Sequence, residues 1–398
     1  MNTKWLTNPF FVYSLGFLLV FLVYQARWSD RYPPLSTNLV LFLFATFSIS
    51  FLFAFILEKS NRNEFAEIEV DRNRILIVSL LYVGYFMEFA YSGGVPILLT
   101  MTNPEYSYKD FTGIPTFHVI LGTFGVFYSI YLFHQYLCST EKLKAFFYFF
   151  ISLVPNILVI NRGAVVIIII ASFVIYLMKL KRLSIKSILR IFLSIIGIIY
   201  LFGIIGNIRY SVSKEDKEFI LRIGGASDEF IKGNVPSEYY WGYLYIATPV
   251  GNLQNIIDKK ESEFSIRRVP SFMASELLPD FISKRFVAAL GTETEADDAS
   301  KFFVIEALNA PTVYYRSYFL LGWTGVVMMY LYSIVIMLCY PYFVPRNSPY
   351  FISGWACLVT IVLLNIFSNM WYASGTILIW PLIATFLGRI KIYKNNVT

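Results

Sequence analysis

Three arginines stand where charge is expensive. Arg162 lies at the apex of an apolar stretch, 145–178, that Asn161-Arg162-Gly163 interrupts. Arg209 directly follows the apolar run 187–206 (GIIGNIRYS), and Arg316 precedes the run 318–340 (YYRSYF). A charge at the edge of such runs is costly, so each position is a functional candidate by default. A guanidinium stays charged and donates to two phosphate oxygens at once, so three at one depth can converge on a phosphate group. The alternative for each is an anchor whose stem lies along lipid while its head reaches the polar surface.

Titratable partners come next. Glu88 is near the end of the apolar run 75–91 and His118 near the start of the run 117–137. If those runs are neighbours the two side chains meet, either as a general base or as a hydrogen-bonded structural pair. Glu238 and Glu306 are further base candidates, in the long segment 207–317. The cluster Tyr239, Tyr240, Trp241, Tyr243 and Tyr245 marks a membrane interface, with Tyr245 taken as a contact for a sugar ring. The acidic run Glu293, Glu295, Asp297, Asp298 lacks the calcium-loop pattern and reads as a solvated turn. Cys138, Cys339 and Cys357 form no CxxC, and His118 and His134 are too few for a histidine-rich centre. No metal and no cofactor are expected, and no nucleotide-binding or hydrolase motif is present.

The elements that must position these residues follow from composition. The 398 residues are 57% hydrophobic and 15% charged, where soluble domains carry about 25% charged residues. A soluble enzyme and a disordered chain are both excluded, and the bilayer is the solvent that fits. Apolar runs place spans at 5–24, 35–57, 75–91, 117–137, 145–160, 164–178, 187–206, 318–340, 350–367 and 371–387. The expected fold is an all-α polytopic membrane bundle of about ten transmembrane helices.

With both termini inside, the inner loops hold Lys59, Arg62, Arg72, Arg74, Lys142, Lys144 and the cluster 179–190. The short outer loops hold only Arg27, Arg31, Lys109 and Arg162. This asymmetry predicts an N-in/C-in chain. The net charge of +7 reads as loops facing an anionic leaflet rather than nucleic acid. Residues 1–206 form seven spans, 207–317 a large outer segment, and 318–398 the last three spans and a cytoplasmic tail. Within the segment, 237–258 and 271–286 show helical apolar stripes, so a folded helical cap is expected on the outer face.

The layout resembles the Wzy-type bacterial polysaccharide polymerases, which include the O-antigen and oligosaccharide repeat-unit polymerases. The residues that carry the resemblance begin with Gly93-Gly94-Val95-Pro96 and Gly113-Ile114-Pro115-Thr116-Phe117-His118. Pro155-Asn156, Asn161-Arg162-Gly163 and 203–209 (GIIGNIR) follow, with Thr248-Pro249-Val250-Gly251-Asn252-Leu253 and with Tyr315-Arg316-Ser317, Gly322 and Gly325. An arginine, ten residues and a glycine, a spacing of some O-antigen polymerases, occurs here at Arg222 and Gly233. The resemblance implies an inner-membrane enzyme with its site facing the periplasm. It implies a glycan donor and a repeat-unit acceptor, both on undecaprenyl pyrophosphate, and a chain-length regulator as partner. Arg162, Arg209, Arg222, Arg316, Tyr245 and Asn252 become the expected substrate contacts, with Glu88, His118, Glu238 and Glu306 as candidate bases. The implied transfer is metal-independent. A lipid-linked oligosaccharide flippase and an O-antigen ligase-like transferase are the competing readings.

Overall fold

The computed structural model describes residues 2–59, 64–180, 182–210, 219–261, 263–290 and 295–395. They are all-helical, and no strand occurs among them. The main helices are α1 (Pro9–Tyr24), α2 (Thr37–Glu58), α3 (Arg74–Tyr91), α4 (Phe117–Cys138), α5 (Lys142–Leu158) and α6 (Arg162–Leu180). They continue with α7 (Ile185–Tyr210), α8 (Glu238–Lys259), α9 (Asp280–Leu290), α10 (Tyr315–Phe343), α11 (Phe351–Leu364) and α12 (Thr376–Asn395).

Local chemistry sets the boundaries. The Asn8 side chain accepts from the Phe10 and Phe11 N–H groups at 3.0 and 3.4 Å, and Pro9 follows as the first helical residue of α1. Between α5 and α6 the break falls at Val159–Asn161, where the Asn161 carbonyl oxygen of the side chain accepts from the Ala164 N–H at 3.0 Å. α11 ends at Leu364, and a short helix, Met370–Ser374, precedes α12. Both interruptions fall at polar residues of otherwise apolar sequence, Asn161-Arg162-Gly163 in the first and Asn365, Ser368 and Asn369 in the second.

Among the described residues, six helical stretches are long and apolar enough to cross a membrane: Thr37–Glu58, Arg74–Thr102, Phe117–Cys138, Arg162–Leu180, Ile185–Asn207 and Tyr315–Phe343. Pro9–Tyr24, Phe351–Leu364 and Thr376–Gly388 are apolar but shorter. The chain is therefore a multi-pass helical membrane protein. Each of the ten expected runs falls on helix, although length and composition carry six across.

α11 forms the centre. Every residue from Phe351 to Val362 is buried, against α1, α4, α6 and α12. The Trp355 indole N–H donates to the Thr7 carbonyl at 2.8 Å, fixing α11 parallel to α1. α7 is the opposite case. Its side chains are bare along most of its length, with Ile198 and Ile205 about two-thirds exposed, as suits a helix whose solvent is lipid.

Side-chain contacts sort the helix termini into two ends of the bundle. Lys4 and Arg346 both pair with Glu64, at 2.7 and 3.1 Å, and Lys142 and Lys179 both donate to the Leu137 carbonyl. The opposite end gathers the C-terminal ends of α1, α3, α7 and α11 with the N-terminal ends of α4, α6 and α10. All three arginines, 162, 209 and 316, belong to that second end by their helix positions.

The long segment differs from the expected cap in two ways. α8 is part of the main core, since Tyr240, Trp241, Leu244 and Val250 are buried with α1 and α10 residues. It crosses α7 so closely that a Cβ on Gly203 would lie 2.1 Å from the Glu238 carbonyl oxygen. The stripe 271–286 is not one helix. Val269–Phe272 runs into a π-helical turn, Met273–Leu277, and the chain restarts as α9 after Pro279. Proline lacks the N–H that continuation needs.

Candidate functional site

α10 begins with Arg316 in its first turn and is broken at Gly322, whose φ of 60° and ψ of −147° lie outside helical space. Only glycine adopts that conformation without strain. The break sets the turns carrying Arg316 apart from the apolar length that follows. Tyr314 and Val313 are fixed beneath them, the Val313 N–H donating to the Asn365 carbonyl at 2.9 Å.

Glu276 meets this arginine from the π-turn. Its carboxylate is fully buried, and Oε1 lies 3.2 Å from Arg316 Nε. The Asn369 amide donates to Glu276 Oε2 at 3.0 Å and to its carbonyl at 2.8 Å. The Ser275 hydroxyl donates to Oε1 at 3.3 Å. π-turns recur at functional sites because the extra residue re-aims a side chain. Burial pushes the Glu276 carboxyl above its ordinary range, while Arg316, Asn369 and Ser275 pull it back. The Arg316 guanidinium lies over the Tyr372 ring, 5.5 Å from its centroid. The Tyr372 hydroxyl donates to Asp280 at 2.6 Å.

A bridge leads from here to the other pair. Arg285 on α9 stacks on Phe281 and donates to the Thr116 hydroxyl. Thr116 caps α4 with a φ of +72°, two residues before His118. His118 Nδ1 is 2.8 Å from Glu88 Oε2, and Glu88 Oε1 accepts from the Ile114 N–H at 3.2 Å. The carboxylate is buried and the imidazole partly exposed. A proton on Nδ1 toward the carboxylate leaves Nε2 as the nitrogen that can accept another. The Trp380 indole donates to Thr123 at 3.0 Å, joining α12 to α4 one turn below.

Beside the Glu276 cluster opens an almost wholly apolar cavity of about 390 Å³ between α10 and α12. Pro279 and Trp371 line it next to Asp280 and Tyr372, and Tyr332, Ile336, Cys339 and Leu378 line its length.

The sequence-derived candidates divide. Glu88 and His118 meet as expected. Arg316 joins a carboxylate, and the described contacts do not bring Arg162 to it. Arg162 is exposed at the start of α6. Arg209 lies in the last turn of α7, its side chain outside the described residues. Arg222 is exposed on the short helix Phe219–Gly224. Glu238 opens α8 against Gly203, and Glu306 is exposed in a turn. Tyr245 is half exposed, edge-on to Phe202 on α7 at 4.8 Å. Asn252 is buried and bonded to backbone at Val304, Leu308 and Ala310, which ties α8 to the 304–310 strap. Of the acidic run, Glu293 lies outside the described residues, Glu295 opens a 3₁₀ helix, and Asp298 pairs with Lys301. Glu276, Asn369, Tyr372 and Asp280 carry no motif. A glutamate in an apolar run (FMASELLP) and the polar break at Asn369 were the available signals.

Comparison with family models, with curated proteins and with solved structures finds no match.

Proposed function

We propose that this protein is a membrane glycosyltransferase that polymerises polyprenyl-pyrophosphate-linked oligosaccharide repeat units at the outer face of the bacterial inner membrane. The observation that carries the reading is an arginine–carboxylate cluster beside an apolar cavity whose lining, Pro279 and Trp371, directly adjoins Asp280 and Tyr372 of the cluster. A substrate with a charged head and a long isoprenoid tail has the same two-part chemistry. Ten crossings with both termini inside, and the Arg316 end facing out, belong to this reading.

In the reaction, the acceptor hydroxyl attacks the anomeric carbon of the donor glycan. A C–O bond forms there, the bond to phosphate breaks, and polyprenyl pyrophosphate leaves. Arg316 exchanges Glu276 for the pyrophosphate as charge develops, which favours the transition state over the ground state. His118 Nε2 takes the hydroxyl proton, and Glu88 steadies the imidazolium. Glu276 holds Arg316 in place before substrate arrives and is a positioning residue.

Deleting the gene in its host and resolving the surface glycan on a gel tests this. Loss of the ladder with one repeat unit retained on the core is the expected result. Loss of the single unit as well would overturn it, in favour of the flippase or the ligase. Those two differ in the membrane face on which the lipid-linked intermediate accumulates.

A further inference from the structure

A second concave feature occupies the same end of the bundle and shares no residue with the Glu276 cluster. It is a polar pocket of about 310 Å³ under the loop that joins α1 to α2. Its floor is aromatic. The Tyr24 and Tyr32 rings stack at 5.8 Å, and Tyr243 of α8 lies 6.2 Å from Tyr32. Its rim carries Gln25, Asp30 and Glu229, all exposed.

The pocket is held open by backbone. The Asp30 N–H donates to the Gly225 carbonyl and the Ser227 N–H to the Trp28 carbonyl, both at 2.9 Å. The Ser227 hydroxyl donates to the Arg27 carbonyl at 2.8 Å, and the Tyr24 hydroxyl to that of Pro33 at 2.6 Å. Arg27 itself adopts a φ of +50°, which a non-glycine residue keeps only where its surroundings dictate it. The loop is therefore shaped before any ligand arrives.

Its lining selects the ligand. Two carboxylates disfavour a phosphate, and Arg27 beside them disfavours a bare cation. A neutral polyol satisfies both, because hydroxyls donate to carboxylates and accept from guanidinium and amide. The part-exposed Tyr32 ring, backed by the buried Tyr24 and Tyr243, supplies the apolar surface that the C–H face of a pyranose needs. The volume is at the lower end of small-molecule sites and fits a short stretch of sugar rather than a polymer.

We infer that this pocket is a saccharide-binding site that holds sugar units of the glycan chain apart from the Arg316 centre. The identity of its glycan rests on the proposed function; sugar binding itself does not. The test uses the full chain in lipid nanodiscs and, as probe, a phosphate-free oligosaccharide of a few repeat units released by mild acid from the host's own surface polysaccharide. Calorimetry and Trp28 fluorescence are the readouts, since that indole packs on Tyr243. Saturable binding is expected. The Asp30→Asn/Glu229→Gln double variant is expected to bind at least about tenfold more weakly, with Arg316→Ala unchanged. Both variant carboxylates are exposed, so folding is not at stake. No saturation up to about 1 mM, or undiminished binding by the double variant, would overturn the site. Failure of transfer with sugar binding intact would overturn the polymerase reading alone.

Discussion

At the scale of single residues, the centre is a competition for one guanidinium. Arg316 is held by a buried carboxylate, which in the proposed reaction a pyrophosphate oxygen displaces. Replacing Arg316 with alanine removes a donor aimed at developing charge. Turnover by the purified protein on a lipid-linked repeat unit is then expected to fall about 10²–10³-fold. Arg316→Lys keeps the charge but loses the fork and recovers only part of that loss. The buried carboxyl adds a pH signature. Its pKa is raised in the fold, so the folded state keeps a proton that the unfolded chain has released. Stability therefore declines as pH climbs from about 4.3, the unfolded glutamate value, to the raised one, and is flat above it. Thermal unfolding in detergent across that window should show the decline, and Glu276→Gln should abolish it. Residue types made Arg316 and the Glu88–His118 pair legible in the sequence. Glu276 was not, because nothing local says that the turn bearing it is π-helical or that Asn369 lies opposite.

At the scale of elements, the decisive feature is the break in α10. Gly322 lets the first turns present Arg316 to the π-turn while the remainder of the helix lines the apolar cavity. A Cβ at a φ of +60° is strained, so Gly322→Ala is expected to cost about 1–2 kcal/mol in unfolding experiments. It should also lower kcat more than it raises KM, because it moves the arginine rather than the tail site. Equal changes in both would place the break outside catalysis. The apolar runs made the helices readable, and polar residues marked both hairpin breaks. The glycine break was hidden inside a run whose hydropathy never falters. Likewise 271–286 kept a helical stripe that Pro279 divides, since periodicity reports which face is buried and not whether the axis continues. α8 was recognised as a helix, but its place in the core depends on tertiary packing that its many tyrosines do not announce.

At the scale of the whole molecule, the two ends are chemically unlike. One gathers Lys4, Lys142, Lys179 and Arg346, and the other the pocket, the Glu276 cluster and the Glu88–His118 pair. The basic end fits a cytoplasmic leaflet. Single cysteines at Arg162 and at Arg346, in a background lacking the three native cysteines, are expected to react with an impermeant maleimide from opposite faces, Arg162 from outside. Labelling of both from one face would overturn the proposed orientation. Composition alone made the multi-pass class legible, while the span count depends on how short helices sit in lipid. α7 carries a last consequence. The helical stretch Ile185–Asn207 has 23 residues and measures about 34 Å at 1.5 Å per residue, with Lys186 and Arg190 in its first turns, against roughly 30 Å of hydrocarbon. Packed chiefly on α8, with an apolar run that about matches the hydrocarbon, it is expected to tilt when the bilayer thins. Because α8 also lines the proposed saccharide pocket through Tyr243, the thickness of the membrane would then be a mechanical input to the shape of that pocket.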